Sequence, residues 1–357
     1  MDEIIYTTPS KQIEKLKSQN LQIEDEEYAK DSLSTYGYSN LIKSYREPYI
    51  ITTEKGKIYR SGVTFEQITS LYILDKNLRN GVMAAMLDLE EHIKELAADV
   101  IANAFGTHPD AYLKYRNYRN KRKRKHRFTL TGILETMRTT LDTDKDPIHH
   151  YATEHSIVPP WILFKSIYFS TIINFIDQFK EKEQNELVHR LYDLDNLQIT
   201  ETEARKMLMD TLYVCLQYRN AAAHGGRIYN LSSLRRLELD DLPIVGANKN
   251  HSGFDQLLTV LNLLEYRSPF LRLRDVLDEE INRHCNKFVQ DVTYLGQTLN
   301  VNIISQNLVY VPNSSNTYHL NPYCSGIKYA RPLELNEAKK LGYVPCKRCV
   351  NEITYPH

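Results

Sequence analysis

A period constrains this chain more than any single motif does. From residue 10 to about 300 the apolar residues return at spacings of three and four, with few alternating runs, and that predicts a mainly α fold. Leu71, Leu74, Leu78, Val82, Met83, Met86, Leu89, Ile93, Leu96 and Val100 trace one amphipathic stripe, ended by Gly106 and Pro109. A single helix of about thirty residues fits it. A second helix is expected after Pro159 and Pro160, which suit a first turn, running from Trp161 through Ile167, Ile172 and Ile176 to Phe179. Its near-continuous hydrophobicity places it in the core. A third is E-T-E-A-R-K-M-L-M-D-T-L-Y-V-C-L-Q-Y-R-N-A-A-A-H, with Thr200 or Thr202 as N-cap and Gly225 as terminator.

Charge excludes one simple answer. The 45 Lys plus Arg balance 45 Asp plus Glu, so the formal net charge is zero and any nucleic-acid surface must be a local patch. One such patch is K-Y-R-N-Y-R-N-K-R-K-R-K-H-R, Lys114 to Arg127, with nine Lys or Arg, no acid and two tyrosines. Lys121, Arg122, Lys123, Arg124 and Lys125 are placed to neutralise phosphates while Tyr115 or Tyr118 stacks on an unpaired base. The competing reading is a solvated loop that balances acids elsewhere. H-H-Y-A-T-E-H, with His149, His150 and His155, lacks a second ligand cluster and reads as a surface helix or loop. The N-terminus has neither the basic nor the apolar region of a secretion signal, and no stretch approaches the roughly 18 uninterrupted apolar residues of a membrane span. A cytoplasmic protein with no membrane partner is expected.

Composition changes after residue 300, which divides the chain into a helical domain, 1–300, and a module, 301–357. Within the module, Q-N-L-V-Y-V-P-N-S-S-N-T-Y-H-L reads as strand, turn and strand. The short helix L-E-L-N-E-A-K-K-L-G and then Y-V-P-C-K-R-C follow, a ββα-like unit of about fifty residues. Five cysteines occur, Cys215, Cys285, Cys324, Cys346 and Cys349, and three of them fall in the last 34 residues, a local cluster rather than a disulfide framework. His319, Cys324, Cys346 and Cys349 form H-x4-C, a spacer and C-x2-C, the donor set of a tetrahedral zinc site. A unit this small gains a fold from a metal that its own core does not supply. A closed four-ligand site has no open position, which predicts a structural zinc and no zinc catalysis. Tyr318, Gly342, Tyr343 and Pro345 complete a Y-H-x4-C…G-Y-x-P-C-x-x-C pattern that resembles Ada-like zinc-binding modules, whose ligands are one histidine and three cysteines.

The third helix carries the remaining chemistry in its last turns, R-N-A-A-A-H, residues 219 to 224. At 100° per residue, Arg219 falls at the centre of an apolar stripe with Leu208, Leu212, Cys215, Ala222 and Ala223. A guanidinium there must be paired, lie at an interface, or serve function. Asn220 and His224 share a neighbouring face. An arginine and a histidine without a carboxylate cluster suit phosphoryl chemistry. The fork neutralises a phosphate while the imidazole moves the proton of an attacking hydroxyl. With RNA the internal 2′-hydroxyl is the nucleophile, leaving a 2′,3′-cyclic phosphate. The bland alternative pairs Arg219 with an acid from another helix and has His224 cap carbonyls.

R-N-A-A-A-H resembles the R-x4-H motif of the HEPN ribonuclease superfamily, and the wider context resembles the Abi family of abortive-infection proteins. The family stretch R-N-x-x-A-H-x-x-R-x-x-N is met by Arg219, Asn220, Ala223, His224, Arg227 and Asn230. The segments from Lys11 to Leu41, L-D-K-N-L-R-N at 74–80, and P-P-W-I-L-F-K-S-I-Y-F-S-T-I-I-N agree. The resemblance implies a HEPN-type helical bundle and a metal-independent endoribonuclease acting in antiphage abortive infection. It implies Arg219, His224 and Asn220 as catalytic residues, Arg227 on RNA, and a homodimer, because two facing motifs make one site and this chain carries one. A phage-derived trigger or an antitoxin is the further partner implied. An acid common in such families has no counterpart visible in the sequence, and Gly226 stands where relatives often carry histidine. The alternative is a non-catalytic nucleic-acid-binding or phage-sensing protein with a dimeric HEPN core and a zinc recognition module; nucleotide binding without cleavage is a third reading.

Overall fold

The computed structural model describes residues 6–54, 56–232, 234, 253–301, 303, 308–312, 315–320, 324 and 330–350. Its helices are α1 (Pro9–Ser18), α2 (Glu26–Tyr36), α3 (Phe65–Phe105), α4 (Pro109–Tyr112), α5 (Leu130–Leu141), α6 (Ile148–Glu154), α7 (Pro160–Leu163), α8 (Phe169–Ile176), α9 (Glu181–Leu191), α10 (Leu194–Leu197), α11 (Glu201–Ala223), α12 (Phe254–Asn262), α13 (Ser268–Cys285), α14 (Val292–Leu299) and α15 (Leu335–Lys340). The strands are β1 (Ile50–Thr53), β2 (Gly56–Tyr59), β3 (Leu308–Pro312), β4 (Thr317–Tyr318), β5 (Ala330–Glu334) and β6 (Val344–Pro345). The fold is mainly helical, as the period predicts. Among the described residues no helix is long and apolar enough to cross a membrane.

Two units divide the chain. Met1–Leu78 and Val276–His357 form one, and the continuous segment Arg79–Asp275 forms the other. Helix α3 has 41 residues, longer than its stripe suggested, because Phe65 and Ile68 extend the buried face backwards at helical spacing. It stops where expected, with Gly106 at φ +87°.

The first unit closes around a buried polar knot. Asp291 Oδ2 accepts from the Tyr49 hydroxyl at 2.7 Å, and Asp291 Oδ1 accepts from Gln67 Nε2 at 2.8 Å. His284 Nε2 lies 2.9 Å from Asp291 Oδ2 while its Nδ1 lies 2.8 Å from Ser70 Oγ. Residues from both ends of the chain are therefore joined by bonds that water cannot replace, since His284 and Asp291 are both buried. In the same unit β3 pairs antiparallel with β5 from Leu308↔Glu334 to Pro312↔Ala330, and β4 pairs parallel with β6. The expected second strand near 317–320 is only β4, tied to β3 by a Tyr310↔His319 bridge. The longer partner is β5, which Pro332 disguised: proline ends strand patterns unless it sits at an edge, as it does in a two-stranded sheet. Of the turn between those strands, Asn313 and Ser314 lie outside the described residues.

In the second unit the expected helix 160–179 is broken. Ile167 has φ −96° and ψ 135°, so α7 and a following 3₁₀ turn end there and α8 restarts after Tyr168. A straight helix has one inward face, yet Leu163, Phe164, Ile172, Ile173, Phe175 and Ile176 are all fully buried. Breaking the segment lets both halves bury their apolar side chains.

Candidate functional site

Helix α11 starts and stops by local rules. Thr200 is the N-cap: its hydroxyl accepts from Glu203 N while the Glu203 carboxylate accepts from Thr200 N, a reciprocal capping box. At the other end His224 is the C-cap residue, Gly225 has φ +70°, and the N–H groups of Gly226 and Gly225 donate to Ala221 O at 2.8 Å and Ala222 O at 3.2 Å. This is a Schellman stop. The chain then folds back along the helix, where Ile228 and Tyr229 are buried and the Tyr218 hydroxyl donates to Leu231 O at 2.9 Å. Arg79 from α3 donates to Gly225 O at 3.4 Å, a cation on the helix's carbonyl end.

The stop fixes what R-N-A-A-A-H presents. Asn220, Ala223, His224 and Arg227 are exposed, while Tyr218 and Ala222 are buried. The expectation that Arg219 and Ala223 sit in the apolar stripe is corrected: at its last turns the stripe narrows to Tyr218 and Ala222, and the Arg219 side chain keeps 30% of its exposure at the margin. Arg219 Nε is nonetheless buried, 3.9 Å from Glu90 Oε2 on α3, and neither atom makes a hydrogen bond. Glu90 Oε1 pairs with Lys94 Nζ at 2.8 Å. Glu90 is thus an acid from another helix beside Arg219. Its only sequence signal is an i,i+4 pair with Lys94, which any solvated helix face carries.

Glu90 also lines a cavity of about 750 Å³ whose wall includes Asp88, His92, Trp161, Lys165 and Tyr266. The Tyr266 hydroxyl donates to Asp88 Oδ1 at 2.6 Å and Ser268 Oγ donates to Oδ2 at 2.7 Å. Burial works against the ionised Asp88, but those two hydroxyls bring its carboxyl below the usual range. The His92 ring lies on Tyr266 with centroids 4.3 Å apart and 33° between planes. Burial holds that imidazole below its usual pKa despite the nearby Asp88. No spacing in the sequence joins residues 88–95, 161 and 266, so the cavity had no signal there.

The basic segment is divided by its structure. Tyr115 is exposed, as are Arg122, Arg124 and Lys125. Tyr118 is not available for stacking: it is buried among Phe105, Phe175 and Phe179 with its hydroxyl donating to Tyr112 O. Lys121 and Lys123 both pair with Asp177, the former at 2.8 Å. Burial disfavours the Asp177 anion, and the two ammonium groups outweigh it, leaving the carboxyl below its ordinary range. Lys123 Nζ also reaches the Tyr213 hydroxyl at 3.4 Å, which sets the segment against α11 two turns before Arg219. His149, His150 and His155 are exposed on and just after α6.

At the C-terminal end, the β4–β6 pairing and the Cys346 N–H to Tyr318 O bond of 2.9 Å place His319 beside Cys346. Ligand atoms of His319, Cys324, Cys346 and Cys349 all lie within 4.8 Å of one another. Zinc–sulfur bonds of about 2.3 Å in a tetrahedron set sulfurs about 3.8 Å apart. Cys324 Sγ and Cys346 Sγ are 3.8 Å apart, and Cys349 Sγ is 3.7 Å from His319 Nδ1. Burial and hydrogen bonding with Cys346 and Cys349 push the Cys324 thiol up to about 11. Cys346 goes the other way: burial opposes its thiolate, but the N–H groups of Cys349 and Arg348 lower its pKa. The four residues can hold one metal ion.

A family model described as Abi-like protein matches residues 31–230. The chain belongs to the Abi-like protein family. The matched stretch begins within α2 and ends at Asn230, so it takes in α3, the cavity wall from Asp88 to Trp161 and the whole R-N-A-A-A-H end of α11 in this Abi-like chain. The metal cluster lies outside it. No curated protein and no solved structure matches the chain.

Proposed function

We propose that this Abi-like protein is a HEPN-type endoribonuclease of abortive infection, cutting RNA by attack of the internal 2′-hydroxyl to leave a 2′,3′-cyclic phosphate. One observation carries the reading: inside the family-matched stretch, a Schellman stop holds Arg219 and His224 one turn and a half apart with His224 exposed. His224 moves the proton of the attacking hydroxyl, and Arg219 neutralises phosphate charge. Asn220 and Arg227 orient the strand, and Arg122, Arg124 and Lys125 draw RNA in. None of these steps calls on a metal. His319, Cys324, Cys346 and Cys349 would hold a structural zinc for the 301–357 module, and the ion's chemistry is to fix that module's fold.

One motif per chain is half of a composite site, so the active form is a homodimer with Asn220, Ala223 and His224 at the two-fold axis. The cell's trigger is a phage product or release from an antitoxin. The second reading, a binding protein without cleavage, draws on the Arg219–Glu90 pair, which gives the guanidinium a structural partner.

The test uses the purified full chain with total RNA in magnesium-free buffer. Cyclic-phosphate ends are expected, and Arg219→Ala and His224→Ala are each expected to lose at least about 100-fold in rate with RNA affinity retained. Since His224 is exposed, its variant keeps the wild-type melting temperature. Intact RNA with full binding supports the second reading, and a monomer at micromolar concentration sinks the composite site.

A further inference from the structure

The 750 Å³ cavity beside Arg219 is of a size that takes a small organic ligand. Its chemistry narrows the choice. Four carboxylates line it, from Asp88, Glu90, Glu91 and Glu95, against Lys94 and Lys165, so a phosphate as the seated group is repelled. Two lysines oppose a simple cation. Nor do the acids converge as metal ligands: among the described residues the group placed to hold a metal is His319, Cys324, Cys346 and Cys349. What remains is a neutral, flat ring. Trp161, and His92 stacked on Tyr266, offer π faces for it.

The hydrogen-bonding groups left over then choose the ring. Asp88 already receives two hydroxyls and Glu90 is held between Lys94 and Arg219. Glu91 and Glu95, both exposed and one turn apart on α3, make no hydrogen bond or ion pair among the described residues. An ionised carboxylate has two acceptors and no donor. Guanine presents two donors side by side, N1–H and N2–H, on one edge; adenine, cytosine and uracil present a mixed edge there. We infer that this cavity is a base pocket that seats an unpaired guanine of RNA, stacked against Trp161 and bonded by Glu91 or Glu95, next to the phosphate that Arg219 contacts.

The inference rests on the RNA reading above, and its test is independent of cleavage. Trp161 is the sole tryptophan of the chain, so its fluorescence reports from the cavity wall. Full-length His224→Ala protein is titrated with the trinucleotides UGU, UAU, UCU and UUU. The expected result is quenching by UGU at a Kd at least about tenfold below the others. Glu91→Gln with Glu95→Gln is expected to abolish that preference while UUU binding stays unchanged. Equal affinity for the four trinucleotides, or displacement of UGU by spermidine at equal concentration, overturns the proposal. Guanine preference in a protein that never cuts RNA leaves the pocket standing and removes the ribonuclease reading. Cleavage at sites with no guanine bias, together with equal affinities, does the reverse.

Discussion

Gly225 and Gly226 look equivalent in the sequence and are not. A Cβ at Gly225 meets open space, yet its φ of +70° is one that L side chains adopt at a cost of about 1 kcal/mol or more. At Gly226 a Cβ falls 3.0 Å from Ala221 O, a backbone atom that cannot step aside. Gly225→Ala is expected to destabilise by about 1–2 kcal/mol through backbone strain alone, read as a shifted urea midpoint with an unchanged slope. Asp177 makes a pH-dependent prediction. Because Lys121 and Lys123 depress its pKa in the folded state, its contribution is present above the unfolded value of about 3.9 and is lost as pH falls through the lower folded value. Urea melts of wild type and Asp177→Asn should therefore differ at pH 7 and begin to converge only below about pH 4, as pH falls toward the lower folded value. The same substitution frees two ammonium groups, so on the RNA reading it should tighten binding and steepen the salt dependence.

At the scale of elements, the polar knot of the first unit and the His319, Cys324, Cys346 and Cys349 cluster are two places where one substitution should undo several contacts. Asp291→Ala leaves Tyr49, Gln67 and His284 without their shared acceptor in a buried setting, a loss expected near 3 kcal/mol or more by chemical denaturation. Cys346→Ser should drop metal content from one ion per chain to none by mass spectrometry of the native protein. It should also open Cys324 and Cys349 to alkylation. Burial pushes Cys215 and Cys285 up to about 12, so both should stay unlabelled until the helices unfold.

Elements were legible where a period or a cap wrote them. The stripe from Leu71 to Val100 and the Thr200 to Gly225 helix are of that kind, and so is the spacing of His319, Cys324, Cys346 and Cys349. The break at Ile167 was hidden, because a run that is apolar on every side carries no phase from which to read a turn. The strand at Ala330–Glu334 was hidden by Pro332. Tyr118 was misread because a tyrosine in a basic run looks the same whether its ring faces solvent or Phe175. The Glu90–Arg219 pair and the cavity were beyond reading, since they exist only once α3 has met α11, α7 and the segment just before α13.

The whole molecule places a continuous segment, Arg79–Asp275, between two stretches that need each other, Met1–Leu78 and Val276–His357. Tyr49 and Gln67 find Asp291 across 242 and 224 residues of chain, and Ser70 finds His284 across 214. Contacts this distant in sequence form late, because the intervening chain must close first. A version ending at Asp275 should therefore lose residues 6–64 to brief protease treatment while the segment from Arg79 onward resists, read by mass spectrometry of the fragments. On the ribosome this order has a direction. The segment carrying Arg219 and His224 emerges whole before Tyr49, Gln67 and Ser70 have Asp291 and His284 to pair with. The knot at Asp291 is tied only after that segment has been made, and His319, Cys324, Cys346 and Cys349 follow it. A chain in which the R-N-A-A-A-H helix end is made before the partners of Tyr49, Gln67 and Ser70 has, during each round of synthesis, an interval in which the first is present without the second.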